Sequence, residues 1–200
     1  MLDKSVPYAG LFMRRAAGPP SVYFPLPDGF EFSFFRDGDE VSWAKIEASA
    51  LEFDSESEAL IYYKEKFIPF AEQLYTRCLF IEHEGKKIAT ATAWHNEING
   101  ERRAWLHWVA VMSEYQGLGL GKALVSRVTE LMRELDGDVD FYLRTQTWSY
   151  TAINIYKTHG FEPTDEKALY IDRNDNYKKA LRILGRIEKK RRRELSARLR

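Results

Sequence analysis

The alternation of apolar and polar residues sorts most of the chain into short elements. Phe30–Phe35 alternates as a strand does, and Asp37-Gly38-Asp39 ends it. Asp39 is placed to cap a helix that carries Trp43, Ile46 and Ala50 on one face. A second helix is predicted from about Ser57, with Leu60, Tyr63, Phe67, Phe70 and Leu74 at spacings of three and four, and Pro69 should kink or break it. Cys78–Glu82 and Lys86–His95 flank Glu84-Gly85 and read as a hairpin. After Asn99-Gly100, Ala104–Met112 is almost continuously apolar, as a central strand covered on both faces would be. Leu120, Leu124, Val128, Leu131 and Leu135 then mark an amphipathic helix. A strand follows over Val139–Gln146, then a short helix that Ser149 could cap and Gly160 ends. Phe161 onward returns as a strand, and Tyr177–Arg200 has helical composition.

A hairpin region joined to a strand–helix–strand crossover predicts an α/β fold: one mixed sheet flanked by helices, with a basic helical tail. The expected divisions are 1–29, an irregular arm rich in proline; 30–174, the domain; and 175–200, the tail.

Composition narrows the classes. Aromatic residues make 14% of the chain, too much apolar surface for a disordered protein. The single cysteine, Cys78, permits neither an intramolecular disulfide nor a cysteine-rich metal site, so no metal is expected and a reducing cytoplasm is the expected location. The start lacks the apolar run of a secretory signal, and no stretch has the length of a membrane span. Charge is balanced overall but not locally. Residues 178–200 hold eleven basic side chains against Glu188 and Glu194, a tail of +9 on a body of −9.

The strongest chemical signal is the run from Val109 to Leu124. A buried strand enters a turn with Gly117, Gly119 and Gly121, which opens into the amphipathic helix. Glycines let the backbone approach an anion closely. The first amides of a helix lack intrahelical acceptors and lie at its positive end, so a pyrophosphate is the natural guest. Ala123 stands where a P-loop has Ser or Thr, and the alternating glycines do not match the dinucleotide-binding fingerprint. Gln116, Gly119 and Gly121 behind Val109-Ala110-Val111 do match Q-x-x-G-x-G, and the chain here resembles the GNAT superfamily of N-acetyltransferases. A second stretch, Ala152, Ile153, Tyr156, Gly160 and Phe161, is similar to that family's A-I-x-L-Y-x-x-x-G-F segment, in the expected order. The resemblance spans about Phe30 to Phe161. Ser149 departs from it, standing where the family often has Asn, and Asn154 is the candidate to supply that amide.

The resemblance implies acetyl-CoA as co-substrate and direct attack by an amine in a ternary complex. It implies a coenzyme site formed by Val109, Ala110, Val111 and the turn Gln116, Gly117, Leu118, Gly119, Leu120, Gly121 and Lys122. Val109 N–H would face the thioester oxygen as an oxyanion-type donor, and Val111 the pantetheine arm. It makes Tyr156 the general acid for the departing thiolate. His107 is the candidate base, with a hydrogen-bonded core histidine as the competing reading and Glu97 or Glu101 acting through water as alternatives. On the acceptor side, no Lys or Arg lies between Ile46 and Tyr63, so Glu52, Phe53 and Asp54 form a candidate site for a cationic primary amine, a small molecule rather than a protein. A helix start enriched in acids explains the same residues without a ligand.

The basic tail contains no aromatic residue from 178 to 200, which leaves nothing for base stacking. Nucleic acid is therefore not an expected partner, and a solvated helix docked on the acidic body, its own or that of a homodimer partner, is preferred. A non-catalytic acyl-CoA sensor, and a nucleic-acid or ribosome-associated module acting through the tail, are the rival functions.

Overall fold

The structure, a computed structural model, describes residues 2–198 apart from Ile171 and Asn174. Leu199 and Arg200 of the expected tail lie outside the described residues. Seven strands form one sheet in the order β2-β3-β4-β5-β6-β1-β7. They are β1 (Gly10–Arg15), β2 (Phe30–Phe34), β3 (Cys78–His83), β4 (Lys86–Ile98), β5 (Glu101–Val111), β6 (Phe141–Gln146) and β7 (Glu162–Pro163). Neighbours are antiparallel except β5 and β6, whose parallel pairing requires the crossover helix α4 (Leu120–Asp136) between them. The other helices are α1 (Glu40–Ser49), α2 (Glu56–Lys66), α3 (Ala71–Arg77), α5 (Tyr150–Thr158) and α6 (Tyr177–Arg198).

Strand pairing fixes what faces what, because residues paired across a ladder share a face. Cys78, Thr92 and His107 are in line, as are Phe80, Thr90 and Ala110. Helices α1 and α2 cover this side: the Tyr63 hydroxyl reaches Cys78 Sγ at 3.7 Å, and α1 packs on both β4 and β5. Pro69 does break the second predicted helix, leaving α2, a 3-10 turn over Ile68–Phe70, and α3. A forked ion pair, Arg77 to Asp136 at 2.8 and 3.1 Å, ties the end of α3 to the end of α4.

Four expectations change. The first 29 residues are not irregular throughout, since Gly10–Arg15 forms an internal strand between β6 and β7. The prolines flank this segment rather than interrupt it, and Leu11 and Met13 are fully buried. Asp39 occupies the N-cap position of α1 but makes no cap bond; its carboxylate instead accepts from the Arg36 amide at 2.7 Å and pairs with Lys87 at 3.0 Å. Ser149 likewise precedes α5 without a side-chain cap bond. The strand after Phe161 is only two residues long, because β1 offers it two partners, Met13 and Arg14, before the chain turns away.

Helix α6 is docked at its start and solvated at its end. Ala180 and Ile183 are buried in the main core, with Leu184 and Ile187 packed against it, whereas residues 188–197 are exposed.

Two glycines test this architecture in opposite directions. A Cβ on Gly10 would lie 1.8 Å from Asp175 Oδ1, and that carboxylate is held by Arg144 at 2.8 Å. Gly10→Ala should therefore cost about 1–3 kcal/mol, the range for overpacking. Gly185 inside α6 meets nothing, so Gly185→Ala should add about 0.5–1 kcal/mol. Urea unfolding of the two variants beside the parent measures both.

Candidate active site

The site begins where two parallel strands part. β5 and β6 pair only at Ala104–Phe141 and Trp105–Tyr142, although β5 runs on to Val111 and β6 to Gln146. The departure coincides with a bulge. The β4–β5 register shifts between Thr90 and Thr92, and Trp108 opposite has φ of 49°, the left-handed region that a bulky residue rarely adopts. The Met112 amide donates to Ile88 in β4 at 2.9 Å. Strand alternation then turns the Ala110 amide toward β4 as well, and the amides of Val109 and Val111 toward the gap. Two donors thus face open space in a row, and Ala110 does not join them.

At the top of the gap β5 passes into the glycine turn. Gln116 Nε2 donates to the Val111 carbonyl at 2.9 Å, which holds the turn against the strand end. Ser49 Oγ at the end of α1 accepts from the Ser113 amide at 3.0 Å and secures it from the other side. Gly117 and Gly119 have φ of 87° and 86°, with open space where a Cβ would point. Lys122 and Ala123 donate to the Gly119 carbonyl, so the amides of Leu120 and Gly121 stand ahead of the first helical hydrogen bond. No acid lies in the first turn of α4, whose positive end is left for an anion. Gly121 has a different job: a Cβ there would meet Ile155 Cδ1 at 3.2 Å, so it lets α4 approach α5. Leu118 is exposed at the tip, and the Lys122 ammonium rests over the Phe24 ring at 5.3 Å.

Helix α5 packs on α4 and carries Tyr156. The residue is buried, its ring 6.2 Å from Phe161. Burial pushes its phenol well above the usual tyrosine range, and the nearby Glu52 and Glu47 carboxylates push it further, so the hydroxyl stays protonated. Asn154 is exposed on α5, about 200° round the helix from Tyr156.

The acceptor side is aromatic and acidic. Trp108 stacks on Phe53 at 5.3 Å and meets Tyr62 edge-on at 5.2 Å and Trp43 at 5.5 Å. Glu52 follows α1, and its amide donates to the Glu47 carbonyl at 3.1 Å. The residue is exposed; partial desolvation raises its carboxylate above the usual range, and Gln146 at the end of β6 donates to it at 3.4 Å. Glu52 therefore bridges the mouth of the gap. Asp54 is exposed, its amide held by Glu58 at the start of α2.

The acidic run that the sequence offers as the acceptor side begins at Glu47, which is not singled out there as a site residue. Glu47 is completely buried, and neither carboxylate oxygen has a hydrogen-bond partner. The available signal was its spacing, since it shares the buried stripe of α1 with Trp43 and Ile46.

The candidate bases fare differently. His107 lies behind Phe67, 6.3 Å ring to ring, and its Nε2 is buried without a partner. Burial, helped by His95, pushes its pKa down to about 4, too low to hold an amine's proton near neutrality. Glu97 and Glu101 are exposed at the opposite end of the β4–β5 hairpin, with Glu101 roughly 23 Å along the strand from Trp108 at about 3.3 Å per residue. Cys78 is fully buried and its thiol is raised by burial, which suits a core position. Among the described residues no group of His, Cys, Asp and Glu could hold a metal ion, and no helix is long and apolar enough to cross a membrane.

Comparison with known proteins bears on the family and the fold. An N-alpha-acetyltransferase from Sulfurisphaera tokodaii is 33% identical over 70 residues, 34% of this chain and 42% of that protein. The crystal structure of a GCN5-related N-acetyltransferase from Sphaerobacter thermophilus superposes with a TM-score of 0.61 at 20% identity, covering 80% of this chain and 49% of that one. A predicted acetyltransferase from Clostridium acetobutylicum, solved with acetyl-CoA, gives 0.53 at 16% identity over 68% of this chain and 92% of its own. The two structural likenesses show the fold, and the chain spans less than half the length of the first two relatives. The family model described as Acetyltransferase (GNAT) family matches residues 41–161, from α1 through the glycine turn to the Phe161 that closes α5. The chain belongs to the GNAT family of acetyltransferases.

Proposed function

We propose that this acyltransferase moves acetyl from acetyl-CoA to a primary amine by direct attack in a ternary complex. The observation that carries the reading is the gap between β5 and β6, where strand amides are left without a partner strand and an anion-ready turn follows, with the buried Tyr156 on the helix packed against α4. Leu120 and Gly121 amides, with Lys122, would take the pyrophosphate; Val111 would hold the pantetheine arm and Val109 the thioester oxygen. Tyr156, kept protonated by burial and two carboxylates, would donate to the leaving sulfur. A binding-only sensor would need no such acid. Glu52 and Phe53, at the other end of the gap, would meet a cationic acceptor, with Asp54 outside them on the approach. The enclosed aromatic wall favours a small amine over a protein, although the Sulfurisphaera relative is named for N-alpha acetylation.

The decisive experiment is an amine screen that follows thiol release from acetyl-CoA, with polyamines, aminosugars and short peptides as separate arms. Release with none of them would overturn the reading.

Two variants test the coenzyme half. Gly119→Asn keeps a residue that tolerates positive φ but fills the anion space. Losing one charge-assisted amide contact, about 1.5–3 kcal/mol, should weaken coenzyme A binding about tenfold or more with little change in melting temperature. Gly121→Val would be uninformative, since it strikes Ile155. Tyr156→Phe should leave coenzyme affinity unchanged and lower the single-turnover rate by about a hundredfold, the lower range for general acid catalysis. A parental single-turnover rate across roughly pH 6 to 9 would remove Tyr156 from the mechanism.

A further inference from the structure

A buried, unpartnered carboxylate is expensive to keep, since nothing replaces the water it has lost. Glu47 is such a group, and the structure compensates it nowhere: the Trp43 Nε1 one turn before it is also buried without an acceptor. An apolar residue would fit this stripe of α1 better. The surroundings supply the reason for a carboxylate. Glu47 sits where α1 meets the aromatic wall: Trp43 one turn before it packs on Trp108, its carbonyl accepts from the Glu52 amide at 3.1 Å, and its carboxyl is coupled electrostatically to Glu52, to Tyr62 on α2 and to Tyr156 on α5. It thus shares its surroundings with both Glu52 and Tyr156. Leu51, just before Glu52 and Phe53, has φ of 68°, so the loop that follows α1 is itself strained.

We propose that Glu47 is the base of the reaction: it receives the acceptor's primary ammonium behind Phe53 and removes one proton. This rests on the amine reading above and names the residue and the charge state that the site takes. The ammonium nitrogen gives a proton to Glu47, becoming R–NH2. Its lone pair forms the N–C bond to the thioester carbonyl. Collapse breaks the C–S bond, the sulfur leaves with the electron pair and takes a proton from Tyr156, the second proton of the nitrogen restores the Tyr156 hydroxyl, and Glu47 gives its proton to solvent. The sum is R–NH3⁺ and acetyl-CoA giving the amide, coenzyme A and one H⁺.

Burial, and then the charge of Glu52, hold the Glu47 carboxyl well above the carboxylate range in the free protein. A cation brought beside it favours the ionised form. The sign for stability follows. Because the folded pKa is raised, Glu47 costs nothing below its unfolded pKa, near 4.3, and destabilises increasingly as pH rises.

Glu47→Gln is therefore expected to do two opposite things. Its melting temperature should match the parent near pH 4 and exceed it increasingly toward pH 8, while its single-turnover rate falls by about a hundredfold and coenzyme A affinity stays unchanged. Glu47→Asp should regain part of the rate. With coenzyme A present, butylammonium or an unblocked tripeptide amide should raise the parent's melting temperature, and Glu47→Gln should lose that response. Tetramethylammonium, which has no proton to give, separates charge from proton transfer. A Glu47→Gln protein that keeps the parental rate would overturn the proposal, as would one less stable than the parent at every pH with rate lost only in proportion. A protein that acetylates no amine yet binds butylammonium through Glu47 would instead overturn the acetyl-transfer reading and leave the ammonium site standing.

Discussion

The parting of β5 from β6 after Trp105 is the constraint on which the rest of the site depends. A parallel pair would ordinarily consume the amides of both strands. Here the bulge at Trp108 bends β5, and the left-handed backbone that makes the bulge is held by the ring, which is wedged among Trp43, Phe53 and Tyr62. Strain at one residue is balanced by packing from three others. What the strand gives up in ladder hydrogen bonds reappears as donors facing an open slot, with α4 beginning at one end and α5 lining the side.

Along that slot the electrostatics run from positive to negative. The turn end offers helix amides, Lys122 and no acid. The far end offers Glu52 and Glu47 with no basic residue from 47 to 62. A thioester whose phosphates are anionic and an acceptor whose nitrogen arrives cationic would be oriented by the same gradient. Burial, more than either acid, keeps the Tyr156 phenol protonated. On the proposed reading, one arrangement would serve both the donor and the acceptor.

Helix α6 shows how a strongly charged segment is built into such a body. Its first turns bury Ala180 and Ile183 against the core. Beyond Ile187 the helix continues in solvent, supported by Arg192 on Glu188 at 2.8 Å and by Arg191 over the Tyr150 ring at 5.8 Å. The latter contact brings the basic stretch to the start of α5, so the tail's charge is carried beside the domain and not apart from it.

Much of this was legible in the residues alone. The hairpin, the apolar central strand, α4 with its leucine repeat and the glycine turn are local patterns, and local patterns depend on nearby residues only. The family followed from two such patterns in order. Strand β1 was not legible, because its role is set by partners more than 120 residues away in β6 and β7, and its flanking prolines imitate a loop. The bulge at Trp108, the packing of Gly121 against Ile155, the burial of His107 and the place of Glu97 and Glu101 at the far end of the hairpin all depend on register and facing. Glu47 shows the division best. Its position on an apolar stripe is written in the sequence, but whether a carboxylate there finds a partner is decided only when α1, α2, α5 and β5 close around it, since desolvation is a property of the assembled surroundings.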